Sequence, residues 1–284
     1  MDSEAFEELA GYYGPGSVTW RVGREAVLLV GGGRAVLMQL AHPLVAAGVS
    51  QHSSYEQDPT GRFRRTFTLG QTLAFGTRSE ARKAAQTINQ RHKPVEGTLH
   101  AAAGDFAAGA PYHARDPDLL LWVHATLIES ILHVYQLLVA PLAPAEQERY
   151  YQESFASVRL LGLPPAHLPQ NFAAFTDYMQ MMLASNNLAV TPEAKTLANL
   201  VIRPRAPLPT RPLFEATANI TIGLLPPRLR EMYGYHWNAG QQFLFDAWVR
   251  STRRMLPLLP GWLREFPRAR AAEARVHHAL AETA

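Results

Sequence analysis

An all-α fold, a single-domain multi-helix bundle with a buried central helix, is what this 284-residue sequence predicts. Apolar residues recur at helical spacing over long stretches, Pro and Gly punctuate the chain at helix-length intervals, and no segment sustains the strict alternation of a strand. The composition agrees: 47% of residues are hydrophobic and only 18% are charged, which suits a chain that buries much and leaves few solvated tails. One helical domain can carry this length around one core, so the expected unit is 1–284, ending in a peripheral, Arg- and Ala-rich surface helix at 264–284.

The elements follow in order. After an irregular opening at Gly11–Gly16, helical structure begins at Ser17 and runs with dense apolar content to a break at Pro43. The run from Val27 to Gly33 resembles a strand leading into a dinucleotide loop. That fingerprint needs a glycine where Val36 stands, so the glycines read as points of close approach between helices, or between a helix and a flat cofactor. Asp58 and Pro59 open a second helix that stops at Gly76, and Ser79 and Glu80 open a third that ends by Pro94. The stretch from Gly97 to Ala114 reads as a loop with a short helical piece. Asp116-Pro117 then start the longest helix, to about Val139, apolar around most of its circumference and therefore the expected centre of the core, with Leu127 inside it. Further helices are expected at Pro144–Leu161, Phe172–Ser185, Pro192–Val201, Leu213–Leu224, Pro226–Tyr233 and Asn238–Met255, with an extended Pro-rich connector from Pro204 to Pro212.

Charge and cysteine usage narrow the chemistry. The excess of 27 Lys and Arg over 24 Asp and Glu is small and dispersed, so no nucleic-acid partner is expected. The absence of Cys removes disulfides, thiolate metal sites, cysteine nucleophiles and thiolate-ligated haem, leaving His, carboxylate or phenolate for any transition metal. The N-terminus lacks a basic segment followed by an apolar run, and the apolar stretch Ala26–Val49 carries Arg34, Gln39 and His42. No secretory signal and no stable membrane span are therefore expected, and the location expected is cytoplasmic.

Arg62, Arg65 and Thr66 share one helix face at i, i+3 and i+4. Two guanidiniums and a hydroxyl suit an anion or a polar, electron-rich ligand, and the same spacing also describes a solvated basic stripe. His92 lies in the last turn of its helix, where it is either a metal ligand or an imidazolium favoured by the helix dipole. His124 lies in the most apolar helix and needs a partner, as a hydrogen-bonded core histidine or as a ligand.

The ordered combination of Gly14-Pro15-Gly16-Ser17-Val18-Thr19-Trp20-Arg21, Leu37-Met38-Gln39-Leu40-Ala41-His42-Pro43, Asp58-Pro59 to Thr66 and Trp122-Val123-His124-Ala125-Thr126-Leu127 resembles the MpaB-type oxygenases, a family that includes the rubber-cleaving latex-clearing proteins. The similarity spans about 12–250. It implies a helical haem b enzyme that uses O₂ against carbon–carbon double bonds, with its iron and substrate in an apolar cavity. In those relatives an Arg-x-x-Lys-Thr segment covers the distal haem face and a downstream His is the proximal ligand. By order and spacing this assigns Arg62, Arg65 and Thr66 to the distal or propionate side as catalytic residues, Arg62 and Arg65 also to cofactor binding, His92 to the iron as its ligand, and His124, matching a second family histidine, to cofactor binding in the pocket. Arg65 replaces the family's Lys and cannot deprotonate to ligate iron, which implies an open distal site. No Glu stands upstream of Arg62 as in the rubber enzymes, Glu56 being the nearest, so a small apolar substrate is implied rather than polyisoprene. A non-enzymatic helical protein that holds an apolar or lipid-like ligand is the alternative.

Overall fold

Helix starts in this chain are set largely by proline. In the computed structural model, which describes residues 3–53, 59–203 and 211–281, proline occupies the first turn of α4 (Pro43–His52), α7 (Pro117–Leu138), α8 (Pro144–Leu160), α10 (Pro192–Ile202) and α12 (Pro227–Tyr233), where its missing N–H costs no hydrogen bond. The remaining helices are α1 (Ser3–Ala10), α2 (Val18–Gly23), α3 (Val30–Leu40), α5 (Pro59–Phe75), α6 (Arg78–His92), α9 (Phe172–Ala184), α11 (Arg211–Leu224), α13 (Ala239–Met255), α14 (Gly261–Arg264) and α15 (Pro267–Ala281). Asp58, Glu56 and most of the Pro204–Pro212 connector lie outside the described residues.

α7 and α3 form the centre. α7 buries Trp122, Ala125, Ile128, Leu132, Val134 and Leu138, and α3 buries Leu37 and Met38 in the same core. The glycines of α3 are close-approach positions. A Cβ on Gly31 would lie 3.0 Å from Val134 of α7, and one on Gly33 would lie 2.9 Å from the Thr221 hydroxyl of α11. Arg34, 3% exposed, crosses this seam. Its guanidinium forks onto the Glu129 carboxylate, its Nη1 also donates to Ser130 Oγ at 2.7 Å, and its Nε donates to the Leu224 carbonyl at 2.8 Å. Each nitrogen of the buried guanidinium thus has a partner, which is what makes its burial tolerable. At His42 the chain turns by 105° from the α3 segment into α4, and among the described residues no single helix is long and apolar enough to cross a membrane.

Two expectations are corrected. The Gly97–Ala114 stretch is not helical: it contains an antiparallel hairpin of β1 (Glu96–Thr98) and β2 (Pro111–His113), with Gly97 opposite Tyr112. Strands of three residues are too short to show alternation. The pairing is enforced by Tyr112, which is buried across from a glycine whose added Cβ would lie 2.6 Å from its hydroxyl. Leu127 is not a core residue either; it is 43% exposed in the middle of α7. The helix is packed on most sides, but the flank carrying half-buried Val123 and Leu127 faces open space. The C-terminal helix α15, for its part, buries Ala269, Ala272, Val276 and Ala279, part of that face joining Trp20, Phe75 and Phe266 in a second small core.

Two stability results are predicted, both read by chemical denaturation. Arg34→Met should cost about 3–5 kcal/mol, because it strands the half-buried Glu129 carboxylate, while Arg34→Met combined with Glu129→Met should cost clearly less. Leu138→Ala should cost about 2–5 kcal/mol and Leu127→Ala less than that, since only Leu138 leaves a cavity behind. Equal losses at the two leucines would place Leu127 in the core after all.

Candidate functional site

The α5–α6 hairpin builds the site. Gly76 closes α5 by donating its N–H to the Thr72 carbonyl at 2.9 Å. The next residue, Thr77, caps α6: its side chain accepts from the Glu80 N–H while Glu80 accepts from the Thr77 N–H at 3.0 Å. With a turn this tight and arms of 17 and 15 residues, the start of α5 returns beside the end of α6. Arg62 and His92 meet there.

Arg62 is half-buried and held by two hydroxyls. Its Nε donates to Ser53 Oγ and its Nη1 to Thr66 Oγ1, both at 2.8 Å. The face shared by Arg62 and Thr66 is thus a bonded unit, and Arg65, one residue before Thr66, is exposed. Phe63 stacks on Phe67 with centroids 6.0 Å apart, and its ring edge lies 3.9 Å from where a Gly32 Cβ would be. The middle glycine of α3 therefore faces α5.

His92 is half-buried, and its Nδ1 is buried without a hydrogen-bond partner. Burial first, and the Arg62 charge second, lower the imidazole pKa below its ordinary value of 6.5. A histidine favoured by the helix dipole would shift the other way, towards the imidazolium. Desolvation wins here, and the ring is kept in the neutral form that a metal requires.

His124 lies on α7. It is buried, and its Nε2 lies 3.2 Å from Ser154 Oγ, whose own proton goes to the Tyr151 carbonyl at 2.6 Å. Ser154 must therefore accept, which makes Nε2 the protonated nitrogen of His124. Burial alone pushes this imidazole down to about 4. Three residues further along α7 stands Leu127, and the Gln39 side-chain amide of α3 reaches the Val123 carbonyl at 3.5 Å on the same flank.

His42 was quoted in the sequence motifs without being assigned a role. It is buried, its Nδ1 has no partner, and its ring lies 5.1 Å from Phe106. Burial pushes its pKa down to about 4, with Asp116 opposing. The signal that exposed His124, an imidazole in apolar sequence, was present here too, between Ala41 and Pro43. Among the described residues no three His, Asp or Glu side chains gather into a metal-binding cluster.

The model of the ER-bound oxygenase mpaB/B′ and rubber oxygenase catalytic domain matches residues 20–254. The chain belongs to that family. The match covers the α5–α6 hairpin, α7 and every candidate residue named above, and leaves α1, α14 and α15 outside it. The family is one of oxygenases and includes haem-dependent rubber oxygenases. Among curated proteins the chain is similar to an uncharacterised protein of Mycobacterium bovis and to one of Mycobacterium tuberculosis. Each is 28% identical over 227 residues, 78% of this chain and 85% of the relative. No solved structure matches.

The two deeply buried histidines make stability pH-dependent. Folded, His42 and His124 stay neutral down to about pH 4; unfolded, they take up protons near 6.5. Between those values the unfolded chain binds more protons, so this contribution is complete above about 6.5 and is lost as the pH falls towards 4. It amounts to at most on the order of 3 kcal/mol per histidine. Urea midpoints measured from neutral to acidic pH should fall for the wild type and fall less steeply for His124→Gln; parallel curves would show that His124 is not the titrating group.

Proposed function

We propose that this chain is a haem b-dependent oxygenase that acts with O₂ on a small, apolar, unsaturated substrate, with His92 as the axial ligand of the iron. The observation that carries this reading is the neutral imidazole of His92, with one ring nitrogen buried and partnerless, beside a fixed guanidinium in a chain of the oxygenase family. The donor set fits the group: one histidine that, among the described residues, gathers no cluster of further His, Asp or Glu ligands suits an iron whose remaining ligands would come from a macrocycle. When bound, the haem would supply the redox electronics and the O₂ site.

The protein's own part is to hold and orient. Arg62, clamped between Ser53 and Thr66, presents a permanent positive charge suited to a propionate or to polar groups at the distal face. Arg65 stands where the rubber enzymes carry Lys, and because a guanidinium is no iron ligand it would leave the distal position open. Phe63, Val123 and Leu127 offer apolar surface to a flat cofactor or hydrocarbon, and His124, bonded to Ser154, stiffens the helix that carries that flank. The same apolar surface supports a second reading, a protein that sequesters an apolar or lipid-like ligand without iron. A Soret band in protein produced with supplied iron or haem separates the two.

If His92 is the ligand, His92→Ala should lose haem while its far-ultraviolet circular dichroism stays helical. His124→Ala should keep some haem at lower stability, and Arg65→Ala should load fully but show altered ligand binding at the iron. Haem retained in His92→Ala and lost in His124→Ala would reverse the assignment.

A further inference from the structure

We infer that the ridge formed by the end of α13, the turn after it and α14 is a docking surface for an anionic lipid bilayer. Leu258 and Trp262 on this ridge are 82% and 62% exposed, and Met255, Leu259 and Leu263 are exposed beside them. The outer face of α13 continues the surface with exposed Phe243 and Leu244. Contiguous exposure of this kind on a soluble domain marks an interaction site, whereas single exposed leucines do not.

The ridge is not a loose end. Buried Leu256 and Phe266 anchor it on either side, and the Phe266 N–H donates to the Arg24 carbonyl at 2.9 Å. Arg264 forks onto the buried carboxylate of Glu25 at 2.7 and 2.8 Å. The apolar side chains are therefore held outward by a fixed backbone, with their ordering cost already met on folding.

Charge identifies the occupant. Between Asp246 and Glu265 the ionisable side chains are Arg250, Arg253, Arg254 and Arg264. Arg264 is committed to Glu25; the other three are exposed and have no acidic partner among the described residues. Exposed Leu and Trp flanked by unopposed arginines match an interface that is apolar below and anionic at its surface, and Trp is favoured at that depth. A second copy of this chain fits less well, because a symmetric contact would bring the arginines of both copies together. α14 also packs on the turn Ala26–Leu29 that leads into α3, so docking would set the glycine-bearing start of α3 beside the bilayer. Only that last link, as a route for an apolar substrate, rests on the oxygenase reading.

The test is sedimentation of the full chain with phosphatidylcholine vesicles, with and without phosphatidylserine. The chain should pellet with the anionic vesicles, less so as salt is raised, and weakly with phosphatidylcholine alone. Arg250→Gln/Arg253→Gln/Arg254→Gln should weaken anionic binding on the order of a hundredfold. Leu258→Ser/Trp262→Ser should weaken it by about tenfold or more, with circular dichroism unchanged because both side chains lie outside the core. Haem content plays no part in this readout. A chain that stays in the supernatant, or binding that neither variant weakens, overturns the proposal. So does a concentration-dependent dimer that both variants dissolve, which would make the ridge an interface between copies.

Discussion

The buried fork between Arg34 and Glu129 is the constraint on which the other contacts of the α3–α7 seam depend. A guanidinium at this depth is tolerated only with each of its nitrogens engaged, and its partners lie on α7 and at the end of α11. Meeting them fixes the distance between helices, which is why Gly31 and Gly33 flank the arginine. Once α3 is held in this way, Gly32 faces Phe63 and Gln39 reaches the carbonyl of Val123. The apolar flank of the candidate site follows from an ion pair that does not belong to it.

The second device is the α5–α6 hairpin. It brings a cation against an imidazole, an arrangement that works against protonation of His92 and so favours metal ligation. His42, His92 and His124 then divide by their partners. His124 has a hydroxyl, His42 has an aromatic neighbour and a free nitrogen, and His92 has a free nitrogen beside Arg62. Burial keeps all three neutral, and at His92 the Arg62 charge adds to it.

The segments outside the family match are built into the fold. α15 closes a small core with Trp20 and Phe75, and the Arg275 side chain donates to the Leu9 and Phe75 carbonyls at 3.0 and 2.8 Å. Glu25, the anchor of the α14 ridge, stands early in the matched region while its partner Arg264 lies beyond it. The C-terminal helices thus brace the catalytic-domain core and present a surface of their own.

The sequence by itself determined several helix boundaries, because the signals are local: Pro in the first turn, Gly76 at a stop, and a cap at Asp116 that bonds within its own turn; it placed the start of α6 at Ser79, two residues past the Thr77 cap, and did not show α1 or the break between α2 and α3. It also determined that Arg62 and Thr66 share a face, since helical spacing alone requires it. Tertiary structure decided what depends on residues distant in the chain. Whether Leu127 was covered could not be read from an apolar helix, because periodicity shows which side chains can be buried and not where the neighbours stop. The Gly97–Tyr112 pairing was hidden because three-residue strands carry no period. The neutrality of His92 was decided last, because its position at a helix end favours the charged form, and only the packing of α5 against α6 supplies the burial and the Arg62 charge that outweigh it.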